Sequence, residues 1–365
     1  MDLLLVGLNH RTAAVEVREQ LAIPPRDLAR ALRVLRANSD LQEAVILSTC
    51  NRVELYVTAQ APSTAFPQLV DFLAFQSRLA PDAFQSRLYG LTDREAAAHL
   101  FRVTAGMDSM VLGESEITAQ VKQAYLLAHA EGATGPPLHR IFQKALHSAK
   151  VIRSRTRIAA GRASIGSVVV ELAHQLFGNR LGRCQVLLWG AGTAAETTAR
   201  HLISTGIGHL WIVNRTPAGS HDLATLCQSG WVSWEQGLKH LAHVDIAIVC
   251  TQAPHYVIDQ ADVTAILPHR TSRPLVLIDL AVPRNVAPSV RGRPGIQLYD
   301  IDDLEAAAHT NLAVRTRELP QCEAIIQAQV EHLLKHQRAS ARAFGSRRRG
   351  DSLERDRQPD AHLAR

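Results

Sequence analysis

Residues 185–195 read QVLLWGAGTAA, and this stretch decides the fold of the second half of the chain. Gln185–Trp189 has the length and apolar content of a buried strand. Gly190-Ala191-Gly192 then turns the chain, and a helical pattern runs from Thr193 to about Ser204. Strand, glycine turn and helix in that order match the G-x-G-x-x-[G/A] pattern that cradles the pyrophosphate of a dinucleotide. Gly190 permits the tight turn, Gly192 lets the backbone approach the phosphates, and Ala195 is small enough for close helix–strand packing. Thr193 and Ala194 continue the turn, where free N–H groups at the helix start face an anion. Taken alone, the pattern also fits a plain strand–helix turn that needs a glycine.

The next strand-like run, HLWIV at 209–213, ends at Asn214-Arg215-Thr216. A site for NAD would place an acid about here, on the ribose hydroxyls. An arginine flanked by an amide and a hydroxyl suits a 2′-phosphate instead, so the pattern favours NADPH. Further strand-like runs at 244–250 and 275–280 alternate with helical or loop material. That alternation predicts a Rossmann-like parallel sheet covered on both faces.

Upstream, residues 3–8, 44–49 and 53–58 read as strands, with helical patterns over 15–21 and 28–35. Together they predict a small N-terminal α/β unit. From about 63 to 178 the pattern is mostly helical, interrupted at 88–90 and 104–113, with long helices at 136–156 and 164–177. Residues 302–338 read as one continuous helix, and the charged stretch beyond it as a disordered tail. The fold class is therefore α/β multidomain. Its expected parts are 1–155, 156–300, a helical segment at 301–338 and a tail at 339–365.

At 365 residues, 46% hydrophobic and 20% charged, the chain has the size and composition of a multidomain globular protein. The net charge of +6 permits a polyanionic partner without demanding one. No run approaches the ~20 apolar residues of a membrane span, and the N-terminus does not resemble a signal peptide. Five scattered cysteines with no CxxC pair argue against a disulfide framework and against a metal site. They fit a reducing, cytoplasmic setting.

Cys184, Cys227, Cys250 and Cys322 read as small buried hydrophobes. Cys50 differs, because it ends a strand in a polar setting, Ser48-Thr49-Cys50-Asn51-Arg52, where Arg52 could stabilise a thiolate. From spacing alone, catalysis and a structural role stay equally open. A thiol paired with a nicotinamide site has a definite chemistry, however. The thiolate takes an acyl group from an ester, and the thioester accepts hydride and collapses to an aldehyde.

The segments GLNHRTAAVEVRE, STCNRVELY, AGMDSMVLGESEI, FQKALHSAK, LIDLAVPR and YDIDDL, with the GAG turn, closely resemble the glutamyl-tRNA reductase family over roughly residues 3–335. The resemblance implies NADPH-dependent reduction of glutamyl-tRNA(Glu) to glutamate-1-semialdehyde, which opens the five-carbon route to 5-aminolevulinate and tetrapyrroles. On that reading Cys50 matches the nucleophile, and His99 a histidine used near the thiol. Thr49, Asn51 and Arg52 match residues lining the glutamyl pocket, with Arg52 the natural partner of the substrate's side-chain carboxylate. Ser109, Glu114, Ser115, Glu116 and Gln120 fall in the second pocket segment. The resemblance also implies hand-over of the aldehyde to glutamate-1-semialdehyde aminomutase.

Three departures qualify it. Thr193-Ala194-Ala195 replaces the usual Glu-Met-Gly, and Gly113-Glu114-Ser115-Glu116-Ile117 replaces Gly-Glu-Pro-Gln-Ile. Glu116 thus adds a negative charge where an anionic group binds, unless it faces solvent or Lys122. Where the family continues past residue 338 with helical material that builds a dimerisation domain, this sequence turns charged, which puts dimerisation in doubt and leaves open a homodimer through the 301–338 helix, whose apolar stripe needs a partner. Two other readings compete. One is a catalytically weak paralogue that binds tRNA or a partner enzyme. The other, from the cofactor segment alone, is a shikimate-dehydrogenase-like enzyme, which the N-terminal half does not fit.

Overall fold

The computed structural model describes residues 2–37, 40–159, 164–270, 273–307 and 315–335. The tail expected at 339–365 lies outside the described residues, as do residues 336–338.

The N-terminal unit runs β1 (Asp2–Asn9), α1 (Val15–Leu21), α2 (Pro25–Arg36), β2 (Leu41–Ser48), β3 (Arg52–Ala59), α3 (Pro62–Ser77), β4 (Tyr89–Thr92), α4 (Asp93–Thr104), α5 (Glu116–Ala130) and α6 (Pro136–Arg155). Its sheet is antiparallel, in the order β2-β3-β1-β4. β3 is buried along its whole length, with α2 and α5 packed on β2 and α3 and α4 on β1. The strand β4 was read from sequence as a mere interruption at 88–90. Its four residues alternate half-buried and exposed, too short a run for a period of two to be visible.

The break expected at 104–113 is a loop between α4 and α5. Gly106 and Gly113 take φ of +74° and +82°, and the Gly113 N–H donates to the Gly106 carbonyl at 2.8 Å, closing the loop. Three successive loop residues, Met110, Val111 and Leu112, bury themselves in three different apolar clusters. The loop is thereby fixed against both halves of the protein.

The second unit begins with α7 (Ile165–Phe177), opened by a reciprocal cap between Ser164 and Ser167. It continues with β5 (Gln185–Trp189), α8 (Thr193–Ser204), β6 (His209–Val213), α9 (Pro217–Cys227), β7 (Gly230–Val232), α10 (Trp234–His240), β8 (Ile246–Val249), α11 (Gln260–Ile266), β9 (Leu275–Asp279), β10 (Ile296–Tyr299) and α12 (Ile301–Ala307). The six strands are parallel, in the order β10-β9-β8-β5-β6-β7. This is the doubly wound order, with its switch point between β5 and β8. Both faces are covered, as the alternation of elements predicts. Val186 and Leu188 enter one core while Leu187 and Trp189 enter the other. The short edge strands β7 and β10 were not anticipated.

The helical pattern expected over 302–338 is not one helix. α12 packs on α7 and β10, a turn occupies 317–318, and a final helix, α13, spans 319–335. Cys322, Ile326, Val330 and Leu333 of α13 are buried in the core of the N-terminal unit. Arg102 pairs with Glu323 at 2.5 Å and Arg94 with Glu331. The apolar stripe read from the sequence as needing a partner is therefore covered, at these four residues, by the N-terminal unit of the same chain.

Candidate active site

Cys50 lies in the turn between β2 and β3. The Thr49 hydroxyl accepts from the Asn51 and Arg52 N–H groups at 3.1 and 3.2 Å, and the Thr49 N–H donates to the Arg52 carbonyl at 2.8 Å. Thr49 thus bends the chain so that Cys50 stands at the tip.

That tip opens into a cavity of about 50 Å3 between the two units. Thr49, Cys50, Asn51 and Arg52 line it from the turn. Ser109, Glu114, Glu116 and Gln120 line it from the loop and α5. Ala194, at the start of α8, and Leu280, just past β9, close it from the second unit. Residues from distant stretches of sequence therefore meet at one point, beside the glycine turn.

Arg52 is 1% exposed and Glu54 is fully buried. The Arg52 Nη1 donates to Glu54 Oε1 at 2.7 Å and to Asp108 Oδ2 at 3.1 Å, and its Nη2 reaches Asp108 Oδ2 at 3.1 Å and the Asp108 carbonyl. Glu54 also accepts from Tyr56 and Tyr89 at 2.6 Å each, and lies 2.8 Å from His99 Nε2. Gly7, opposite Glu54 on β1, makes room: a Cβ there would stand 2.8 Å from Glu54 Cγ. Burial alone would raise the Glu54 carboxyl, but Arg52 and His99 outweigh it and hold it well below the usual carboxylate range. Among the described residues, Arg52 Nε and Asn51 Oδ1, both buried beside the cavity, find no protein partner. Such atoms are rare in folded proteins and mark a place for a polar ligand or water.

Burial, reinforced by Glu114 and Glu116, pushes the Cys50 thiol up to about 12. Burial also pushes Glu114 up to about 7 and raises Glu116. The cavity disfavours negative charge and keeps the thiol protonated.

At the end of β5, Gly190 takes φ of +120°, and a Cβ there would meet the Cys250 carbonyl at 2.6 Å. Only glycine fits. Gly192 has nothing within 4 Å of where a Cβ would be, so open space lies over the turn. Gly192 caps α8 without a side chain, leaving the first N–H groups to a ligand. The Asn214 side chain donates to Thr216 Oγ1 at 2.8 Å, and both lie against Gly219 near Ala191, while Arg215 is exposed. Glycine turn, uncapped helix start and exposed arginine fit a phosphate-bearing dinucleotide.

Comparison with known proteins agrees with both halves. Residues 6–156 match the family described as glutamyl-tRNAGlu reductase, N-terminal domain, and residues 171–307 match shikimate / quinate 5-dehydrogenase. Glutamyl-tRNA reductase of Desulforudis audaxviator is 40% identical over 334 residues, covering 92% of this chain and 74% of that protein. The enzyme of that name from Geotalea uraniireducens is 37% identical over 335 residues, covering 92% and 77%. The chain belongs to the glutamyl-tRNA reductase family. A solved glutamyl-tRNA reductase from Methanopyrus kandleri shares the architecture, with a TM-score of 0.51 and 33% identity over 92% of this chain and 80% of that one. Family membership makes the protein an oxidoreductase, with a dehydrogenase-type domain that supports a nicotinamide cofactor.

Most of the pocket residues expected from the reductase resemblance meet at the cavity. Two do not line it. Ser115 is exposed at the cap of α5, and His99 stands behind Glu54, with its ring 5.3 Å from that of Tyr89. Glu116 turns into the cavity rather than toward Lys122, which is exposed. Sequence reading missed Glu54, Asp108 and Tyr89. A glutamate inside the otherwise apolar run VELYV, two residues from an arginine on the same strand face, was the available signal.

Proposed function

We propose that the protein reduces glutamyl-tRNA(Glu) to glutamate-1-semialdehyde with NADPH, through a thioester on Cys50. The supporting observation is the shared cavity, in which Cys50 and Ala194 of the dinucleotide turn line one space. The Cys50 sulfur attacks the ester carbonyl carbon and forms the C–S bond. The bond to the terminal ribose oxygen breaks, and that oxygen leaves with the thiol proton. A thioester carbonyl is weakly resonance-stabilised, so it is the better hydride acceptor. NADPH held at the turn would supply that hydride. Collapse of the tetrahedral adduct breaks the C–S bond and releases the aldehyde and the Cys50 thiolate, which takes a proton from solvent to restore the thiol.

Gly190, Ala191, Gly192, Thr193, Ala194 and Ala195 would hold the pyrophosphate, and Asn214, Arg215 and Thr216 the 2′-phosphate. Arg52 takes the glutamyl side-chain carboxylate through its unpartnered Nε, since its two terminal nitrogens are committed to Glu54 and Asp108. Thr49 shapes the turn, and Asn51, Ser109, Glu114 and Gln120 surround the acyl group. His99 acts on the site through Glu54.

The test is NADPH oxidation with charged glutamyl-tRNA, with uncharged tRNA as control and the aldehyde trapped. Oxidation dependent on the charged form is expected. Tight tRNA binding without oxidation would favour the non-catalytic paralogue instead, the reading to which Glu116, turned into the cavity, lends support.

Two variants probe particular residues. Arg215→Ala is expected to raise KM for NADPH by about tenfold or more and leave that for NADH nearly unchanged, because one charge-assisted contact to the 2′-phosphate is lost. Equal effects on both cofactors would remove Arg215 from that role. Glu116→Gln is expected to lower KM for glutamyl-tRNA several-fold at pH 8, on the order of the repulsion between two nearby anions in a half-screened site. Because burial raises the Glu116 carboxyl above its ordinary value, the gain shrinks as the pH falls through that raised value and Glu116 becomes neutral. A gain independent of pH would contradict this.

A further inference from the structure

One fully buried cation, on a segment tied to the Cys50 turn, has no part in the reading above. Arg18, in the middle of α1, is 1% exposed. Its Nη2 donates to Asp302 Oδ1 at 2.5 Å, while its Nε and Nη1 have no partner. A buried guanidinium with two idle donors is costly unless its charge is used.

Its position says where. The segment carrying α1 is tied to the Cys50 turn on both sides. The His10 N–H donates to the Asn51 carbonyl at 2.9 Å, and the Ile23 N–H donates to Ser48 Oγ at 2.9 Å. Arg18 lies in sequence between these ties, on a helix packed against β3, and a positive charge so placed acts to lower the Cys50 thiol against the raising effects of burial, Glu114 and Glu116. The partner carboxylate comes from the other unit. Asp302 opens α12, and its Oδ2 also accepts from the Val15 N–H at 3.0 Å, at the start of α1. The neighbouring charges are His10, which pairs with Glu305 at 3.3 Å, and Arg284, which pairs with Glu16 and Glu19 at 2.7 Å each. Arg52, the other buried cation near the turn, is already balanced by Glu54 and Asp108.

We propose that Arg18 is a positioning residue whose charge stabilises the Cys50 thiolate, and that Asp302 of the dinucleotide-binding unit tempers it by pairing with Arg18. The thiolate is the nucleophilic form, so Arg18 sets how much of Cys50 is ready to attack. The carboxylate that limits it belongs to the unit that also carries the dinucleotide turn. The acidity of the thiol thereby depends on contact between the two units. This rests on Cys50 being the nucleophile.

The experiment is the pH dependence of Cys50 alkylation by iodoacetamide in the full chain, read by peptide mass spectrometry. It needs neither tRNA nor cofactor, so its failure is separate from failure of the reductase reading. Arg18→Met is expected to slow alkylation about tenfold at pH 8, the scale of removing one nearby charge. Arg18→Lys is expected to restore most of the rate. Asp302→Asn is expected to act in the opposite sense, speeding alkylation several-fold. Protection of buried Cys184, Cys227 and Cys322 reports that each variant is folded. A merely structural role would move Arg18→Met and Asp302→Asn in the same direction, which overturns the proposal, as does an unchanged rate in both. If Arg18→Met does not fold, Asp302→Asn decides alone: faster alkylation supports the proposal, and an unchanged or slower rate overturns it.

Discussion

Cys50→Ser is expected to lower single-turnover NADPH oxidation with glutamyl-tRNA by at least about ten-thousand-fold, comparable to removing the nucleophile of other covalent enzymes. Both halves of the reaction fail at once. A serine hydroxyl is a far weaker nucleophile in a cavity that already resists negative charge. Any acyl enzyme that formed would be an oxoester, stabilised by resonance and a poor hydride acceptor. The substitution removes one atom's chemistry while keeping nearly the same shape, so the fold and tRNA affinity should persist. Retention of more than about one per cent of the wild-type rate would mean that hydride reaches the tRNA ester directly, without a covalent intermediate.

Glu54→Gln is the second large effect. Glu54 receives Arg52, two tyrosine hydroxyls and His99 in a site without water access. Removing its charge leaves Arg52 balanced only by half-buried Asp108, which also pairs with exposed Arg11 at 3.0 Å. Loss of one partner from a buried ion pair typically costs about 3–5 kcal/mol. Thermal unfolding should therefore fall by several degrees, and turnover should fall with it because Arg52 is no longer fixed at the cavity wall. The pH dependence gives an independent reading. The folded-state value of Glu54 lies below its unfolded value, about 4.3. Its stabilisation is then complete above that pH and is lost as pH falls through the folded value. Wild type should lose stability steeply on acidification below about pH 4, and Glu54→Gln should show a shallower slope there. Identical acid slopes would mean that Glu54 is not held ionised in the fold.

The parallel sheet was legible because buried strands such as VLLW and LVLI are continuous apolar runs, and because the glycine turn has one sequence form. The cysteine turn was legible as a polar interruption between two strands. The edge strands β4, β7 and β10 were not, since three or four residues carry no periodicity and their pairing is set by neighbours far away in sequence. The end of the chain misled for a related reason. An apolar stripe at helical spacing says that something covers it, not what, and Cys322, Ile326, Val330 and Leu333 prove to be covered by the N-terminal unit. Charge partnerships were the least legible of all. Arg52 was visible as a cation beside Cys50, but Asp108 reaches it from a loop whose path depends on Gly106 and Gly113, and Asp302 reaches Arg18 across the junction between units. Spacing along one chain cannot specify such contacts.

The most direct test of the covalent reading is to mix the protein with glutamyl-tRNA in the absence of NADPH, quench in acid and map the peptides by mass spectrometry. A glutamyl adduct on the peptide bearing Cys50, absent from Cys50→Ser and discharged as aldehyde when NADPH is added before the quench, is the expected result. Full aldehyde formation with NADPH, but no adduct on Cys50 under any quench, would contradict it.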